Sequence, residues 1–264
     1  MFRMIKTAIK QKSWWYSISD TIVYQRLKNP KAFNDFLEEI SFYKSILGTN
    51  RKLIFDVGAN VGTKSKIFLL LSELVISFEP DLKNFKILEA RLKKYHNCII
   101  NSFALGSKEG FSTYYSIEND SAYNSLSEKH ITTVVKNRGI INKKTELNQY
   151  EVKTNTLDLF ISKYGIPYYI KIDVEGYEKE VILGLTQLIP LISIEANLPE
   201  FLPETLDIID YLDKLSNGKY VYNYSTQNRL ELGQYTSSVE FRAIISSLHF
   251  KSIEIYIKLE TSAN

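Results

Sequence analysis

One cysteine, Cys98, stands in a chain of 264 residues, so no disulfide framework can form within it. No apolar run reaches the length of a membrane span. The N-terminus lacks a secretory apolar segment followed by a small-residue cleavage site. Together these absences predict a reducing, cytoplasmic setting. His96, His130, His249 and Cys98 are scattered without the spacing of zinc ligands. No G-x-x-x-x-G-K-[ST] stretch exists, which excludes a P-loop. The 33 basic residues nearly balance the 30 acidic ones, and a net charge of +3 is too small to argue for a nucleic-acid partner. Internal repeats and low-complexity linkers are also missing. The chain therefore reads as a helical N-terminal extension over residues 1–49 and one domain over 50–264.

The apolar fraction of 44% allows a large core without staples. "KAFNDFLEEISFYKSIL" (Lys31 to Leu47) predicts an amphipathic helix with Phe33, Phe36, Leu37, Ile40, Tyr43 and Leu47 on one face, stopped by Gly48. Strands then alternate with helices. "KLIFDV" and "LVISFEP" are continuous apolar runs, typical of parallel strands covered on both faces. Between them "KSKIFLLLS" is helical. "DLKNFKILEARLKKY" predicts a helix capped by Asp81, with Leu82, Phe85, Leu88 and Leu92 inward. "NCIINSFAL" reads as a third strand and "FSTYYSI" as an antiparallel ribbon. The pattern dissolves from Glu118 to Gln149, a length usual for functional lids. "YEVKTNT", "YYIKIDVEG" and "PLISIEAN" read as further strands, and the tail, including "SVEFRAII", as β-rich.

Strand–helix alternation implies a parallel sheet with right-handed crossovers, whose ligands sit beyond the carboxyl ends of the strands. Asp56, Glu79, Asp173 and Glu195 each fall at or near such an end. One such acid would be an unremarked cap; four suggest a site. "LIFDVGANVGTKSK" places two glycines between a strand and a helix, the setting of a nucleotide turn. A dinucleotide fits poorly. Gly58 and Gly62 are spaced G-x-x-x-G, and Asp56 would set a carboxylate near pyrophosphate, which needs bare N–H groups. S-adenosylmethionine reverses the sign, because its sulfonium and ammonium groups favour a nearby carboxylate. Glu79 could accept from its ribose hydroxyls. Gly58 would let the backbone approach, Gly62 would relieve packing at the helix start, and N–H groups near Asn60 to Thr63 could take its carboxylate.

"DVGANVG", "SFEPD", "NSFALGSKEG", "VKTNTLD", "IKIDVEGYEKEVILG" and "ISIEAN" follow one another in an order that resembles the FkbM-type family of S-adenosylmethionine-dependent methyltransferases. The resemblance runs from about Leu53 to Asn197. It implies a class I, Rossmann-like α/β fold: a mostly parallel seven-stranded sheet with helices on both faces and one antiparallel strand near the C-terminal edge. It also implies methyl transfer, usually to oxygen, on a glycan, sugar, lipid or other small molecule. Carried onto this sequence, Asp56, Gly58, Asn60 and Gly62 would hold the methionine portion and Glu79 the ribose. Asn101, Ser102 and Ala104 would border the adenine. "SAYNSLSEK" resembles, more loosely, a Ser/Asn-rich patch of the family.

Methyl transfer needs alignment, exclusion of water and, for a hydroxyl acceptor, removal of a proton. Asp173 is the candidate general base or substrate-orienting acid, with Glu195 beside it; a helix cap is the plainer role for Asp173. Asp173, Glu175 and Glu195 could alternatively gather around Mg²⁺ as hard oxygen ligands. Lys171 could pair with one of these acids. Thr156 reads as a helix cap, and Glu178 as an acid complementing a helix dipole. Residues 1–16, with Arg3, Lys6, Lys10, Lys12 and the aromatics Trp14, Trp15 and Tyr16, admit contact with a membrane surface; a short helix packed on the domain is the plainer reading. Two other functions share the pattern. One is a catalytically silent cofactor-binding module, the other a nicotinamide oxidoreductase, which the charge of Asp56 disfavours.

Overall fold

The computed structural model describes residues 29–48, 52–117, 124–135, 139 and 147–260. The basic, aromatic stretch 1–16 and parts of the 118–149 segment lie outside these. The first described helix, α1 (Pro30–Leu47), is capped by Asn29, whose side chain accepts from the Ala32 N–H at 3.2 Å.

Alternating strands and helices follow: β1 (Leu53–Val57), α2 (Thr63–Leu71), β2 (Leu74–Phe78), α3 (Leu82–Leu92) and β3 (Cys98–Asn101). Next come the short strand β4 (Ala104–Leu105), β5 (Gly110–Ile117), a π-helical turn (His130–Val135) and β6 (Leu147–Asn155). The second half contains α4 (Leu157–Tyr164), β7 (Tyr169–Ile172), α5 (Glu178–Leu183), β8 (Leu191–Asn197), α6 (Leu202–Ser216) and β9 (Tyr220–Gln227). It closes with β10 (Arg229–Leu230), α7 (Ser238–Ser247) and β11 (Ser252–Leu259).

The main sheet runs β3-β2-β1-β7-β8-β11-β9-β10. Pairings from β3 across to β8 are parallel, while β11 is antiparallel to both β8 and β9. This is the expected seven-stranded class I arrangement, with the two-residue β10 added as a hairpin on the edge of β9. The chain reverses direction across the sheet between β1 and β7, the switch point at which such sheets bind ligands. A smaller sheet, β4-β6-β5, stands apart from the main one.

Pleating explains the two cores. Phe55 and Val57 face one core with Ile170, Ile172 and helices α4–α7. Ile54 faces the other with Tyr169, Phe68 of α2 and Tyr43 and Leu47 of α1. Tyr43 meets Phe68 edge-on at 5.0 Å, so α1 is built into the domain's packing.

Three expectations change. "SVEFRAII" is the helix α7, not a strand: Ser237 caps it by accepting from Glu240 N–H, and Phe241 and Ile245, one helical turn apart, are both buried. "NCIINSFAL" breaks after Asn101, and Ala104 and Leu105 leave to pair with Thr154 and Asn155 of β6. Leu82 is 60% exposed rather than inward, whereas Leu88 and Leu92 are fully buried. Asp81 does cap α3, accepting from Lys83 and Asn84 N–H at 2.9 Å each.

Candidate active site

A cleft enclosing about 730 Å³ of empty space, open solvent included, lies beyond the carboxyl ends of β1, β2 and β7. Gly58 turns the chain out of β1 with φ +81, and a Cβ there would sit 1.8 Å from the Asp173 carbonyl oxygen. Only glycine serves at this crossing. Its own N–H and that of Ala59 are taken by the Phe78 carbonyl. Asn60 follows in the left-handed region, φ 49, and lines the cleft.

Glu79 projects from the end of β2. Its two carboxylate oxygens accept from Asn60 N–H at 2.7 Å and Asp81 N–H at 2.9 Å, which ties the β1 turn to the β2 turn. Burial pushes its carboxyl up to about 8, against the pull of those two N–H groups. Two accepted bonds leave further lone pairs facing the cleft. Phe78, Phe103, Leu105 and Tyr114 supply apolar walls. An acid with spare acceptor capacity between apolar walls suits a ribose diol next to a purine ring, so these residues fit S-adenosylmethionine.

Four expected cofactor residues line this cleft: Gly58, Asn60, Glu79 and Ala104. The others sit elsewhere. Asp56 is 1% exposed and accepts from Ser65 Oγ of α2. The pleat that sends Phe55 and Val57 to one face sends Asp56 to the α2 face, where Lys171 is its registered neighbour. Burial raises its carboxyl to about 6, although Lys171 and Ser65 pull it down. Gly62 serves packing: its added Cβ would meet Leu88 Cδ1 at 2.6 Å. Asn101 and Ser102 do not line the cleft; the Asn101 carbonyl instead accepts from Glu79 N–H.

Sequence reasoning missed Asn84, Asn124 and Leu126, all of which line the cleft. Asn124 and Leu126 belong to "SAYNSLSEK", the loosely matched patch. Asn124 donates to Asp81 Oδ2 at 3.2 Å, and Tyr150 Oη donates to the same oxygen at 2.9 Å. Ser125 Oγ donates to the Glu175 carbonyl at 2.6 Å. These bonds draw the patch across the cleft.

Beyond β7 the acids converge. Lys171 Nζ donates to Asp173 Oδ2 at 2.7 Å, as the sequence suggested. Burial alone would raise the Asp173 carboxyl, but this ammonium holds it below its ordinary value. Glu195 accepts from Ser252 Oγ at 2.8 Å, and burial together with the Asp173 charge lifts it to about 8. Burial, then Glu195 and Asp173, lift Glu175 to about 10. At neutral pH one ionised carboxylate, Asp173, therefore stands among protonated partners. Glu178 does not merely complement a dipole. It is buried and accepts from Val174 and Gly176 N–H at 3.0 and 3.2 Å, holding the turn after Asp173 in shape. Thr156 caps α4 as expected, accepting from Leu159 N–H.

Asp173, Glu175 and Glu195 each offer an oxygen within 4.8 Å of the others, the single acidic group among the described residues able to gather round a cation. The Lys171 ammonium already supplies its counter-charge, and nothing in its surroundings speaks for Mg²⁺.

The Methyltransferase FkbM domain family matches residues 56–224. No curated protein matches the chain by sequence. Among solved structures, the precorrin-6y C5,15-methyltransferase of Geobacter metallireducens is 10% identical with a TM-score of 0.42, over 85% of this chain and 88% of that one. The plantazolicin methyltransferase BpumL in complex with SAH is 12% identical with a TM-score of 0.42, over 97% of this chain and 100% of that one. The tRNA (m1A58) methyltransferase TrmI of Aquifex aeolicus is 11% identical with a TM-score of 0.40, over 85% and 69%. No helix among the described residues is long and apolar enough to cross a membrane.

Proposed function

The chain belongs to the FkbM methyltransferase family and is an S-adenosylmethionine-dependent methyltransferase; on that premise we propose that it methylates a hydroxyl of a glycan, sugar or other small molecule, with Asp173 as the group that receives the acceptor. The observation that carries this reading is the position of the Asp173 carboxyl group, one-third exposed, lining the cleft and bound by the Lys171 ammonium at 2.7 Å. Glu79 is assigned to the ribose, Gly58 and Asn60 to the methionine end, and Ala104 to the adenine.

S-adenosylmethionine supplies a methyl carbon activated by positive sulfur. The remaining work is alignment and proton removal. Asp173 accepts a charge-assisted hydrogen bond from the acceptor O–H and aims its oxygen along the cleft. Bound S-adenosylmethionine would supply the methyl group to the acceptor oxygen in exchange for the hydroxyl proton, which Asp173 would take. A carboxylate held below its usual range is a weak base, so its proton is received late, once the oxygen has begun to bond. Glu195, protonated beside it, can donate to Asp173 and steady the charge, a positioning role.

Calorimetry with S-adenosylhomocysteine and NAD, followed by turnover of Asp173→Asn, tests the reading. Binding of the sulfur ligand and not of NAD is expected. The variant should keep that binding and lose turnover; a fully active Asp173→Asn enzyme rejects the assignment. An enzyme that binds the ligand and consumes no methyl donor with any acceptor would be the silent module.

A further inference from the structure

A second cavity, of about 720 Å³ by the same measure, opens on the other side of Asp173. Asp173 is the residue that lines both spaces. Strand pleating puts Lys171, Asp173, Glu195 and Glu254 on one face of the main sheet, the face covered by α1 and α2. Glu39 and Phe42 of α1 and Lys64 of α2 enclose that side. The end of β9 and its turn, Ser225 to Asn228, form the far wall with Ser252.

The charges in this cavity are paired and lean negative. Three carboxylates, Glu39, Asp173 and Glu254, together with the protonated Glu195, face two lysines, and no arginine or histidine lines it. Lys64 is bound to Glu39, and Lys171 to Asp173. Neither ammonium is left for a phosphate or carboxylate of a ligand. An anion would meet the surplus negative charge of Glu254 in a partly desolvated space, where like charges repel strongly. The far wall offers uncharged groups instead: the hydroxyls of Ser225, Thr226 and Ser252 and the amides of Gln227 and Asn228. Thr226 and Ser252 give their hydroxyl protons to Glu231 and Glu195 and are left as acceptors, while the two amides can both donate and accept, a mixture that matches ligand hydroxyls.

We propose that this cavity is the acceptor site and that it selects an uncharged, hydroxyl-rich molecule, with α1 and the Ser225–Asn228 turn setting its specificity. The proposal rests on the methyltransferase reading above and narrows its substrate class. It excludes sugar phosphates, nucleotide sugars and uronic acids as acceptors. Glu254 lines the site and is held by Ser193, whose Oγ donates to Glu254 Oε1 at 2.7 Å.

The test uses the full chain, methyl-tritiated S-adenosylmethionine and a small-molecule extract of the native host divided by ion exchange into neutral, anionic and cationic fractions. Label should enter the neutral fraction. Thr226→Arg and, independently, the more exposed Asn228→Arg should each reduce that incorporation by about tenfold or more while S-adenosylhomocysteine affinity stays within about twofold. Label confined to the anionic or the cationic fraction overturns the proposal, as does undiminished incorporation by both variants or the absence of label from every fraction. Failure of the unaltered protein to bind S-adenosylhomocysteine would instead break the methyltransferase reading itself, and calorimetry on the same sample tells the two failures apart.

Discussion

The two spaces that meet at Asp173 are built in opposite ways. The cofactor cleft comes largely from short contiguous stretches, "VGAN", "FEP", "FAL" and "DVE", each set at the end of a strand, with Asn124 and Leu126 added from the segment across it. Its walls mix aromatic surface with one buried acid. The second cavity draws on α1, α2, β7, β8, β9 and β11, six elements spread over most of the chain, and its lining is polar and charged. A ligand common to a family can be held by a motif that is inherited whole. A ligand particular to one member is held by residues that vary one at a time on separate elements. Hence the first space is recognised from a string of letters, and the second only once the chain is folded.

Variants can break or sharpen that contrast. The largest effect is expected from Gly58→Ala, which drives a methyl group into the Asp173 carbonyl and strains φ +81. It disturbs the seam shared by both spaces, and S-adenosylhomocysteine binding and turnover should both fall at least about a hundredfold by calorimetry and methyl-transfer assay. Asp173→Asn comes next, with kcat down by about a hundredfold and ligand affinity within about twofold, since it touches the chemistry and not the ribose. Glu79→Ala should weaken S-adenosylhomocysteine by about tenfold, the worth of one charge-assisted hydrogen bond set.

A smaller effect concerns pH. The Glu79 carboxyl stands at about 8 in the fold against 4.5 ordinarily. The folded state thus keeps a proton that the unfolded chain gives up, and this group's contribution to stability declines as pH rises from 4.5 to about 8. A ribose diol donates to the ionised form, so affinity should move the other way, increasing up to about tenfold from pH 7 to pH 9 with proton release on binding. Calorimetry in buffers of different ionisation enthalpy would detect the proton, and Glu79→Gln should abolish it. The least change in affinity is expected of Asp56→Asn. Its buried bond with Ser65 makes it a stability variant, with a lowered Tm and S-adenosylhomocysteine affinity within about threefold. A tenfold loss there would return Asp56 to the cofactor's direct contacts.

What the letters disclosed follows physical range. The parallel sheet was legible because β1 and β2 are apolar but for one residue each, Asp56 and Ser77, and Glu79 because it follows a strand directly. Asp56 was read by its charge alone, without its pleat: it alternates with Phe55 and Val57 and so points to the other face of the sheet, where Ser65 of α2 donates to it. "SVEFRAII" misled because Val, Phe and Ile favour strands, while the buried pair Phe241 and Ile245 obeys a helical period. The second cavity's walls had no local signal at all. Their membership depends on β11 running antiparallel between β8 and β9, which sets Glu254 opposite Glu195.

Phe42 and Tyr43 are consecutive on α1. Both border the second cavity; Tyr43 is also locked among Phe68 and Tyr169 in the core, while Phe42 rests edge-on against Tyr256 at 5.6 Å. A change that reshapes the cavity at position 42 therefore presses on a helix whose next residue anchors the domain. Divergence of acceptor preference along this helix is coupled to the stability of the whole protein. Lineages that alter it should carry compensating changes beneath α1, and engineering of new acceptors has freer ground in the Ser225–Asn228 turn.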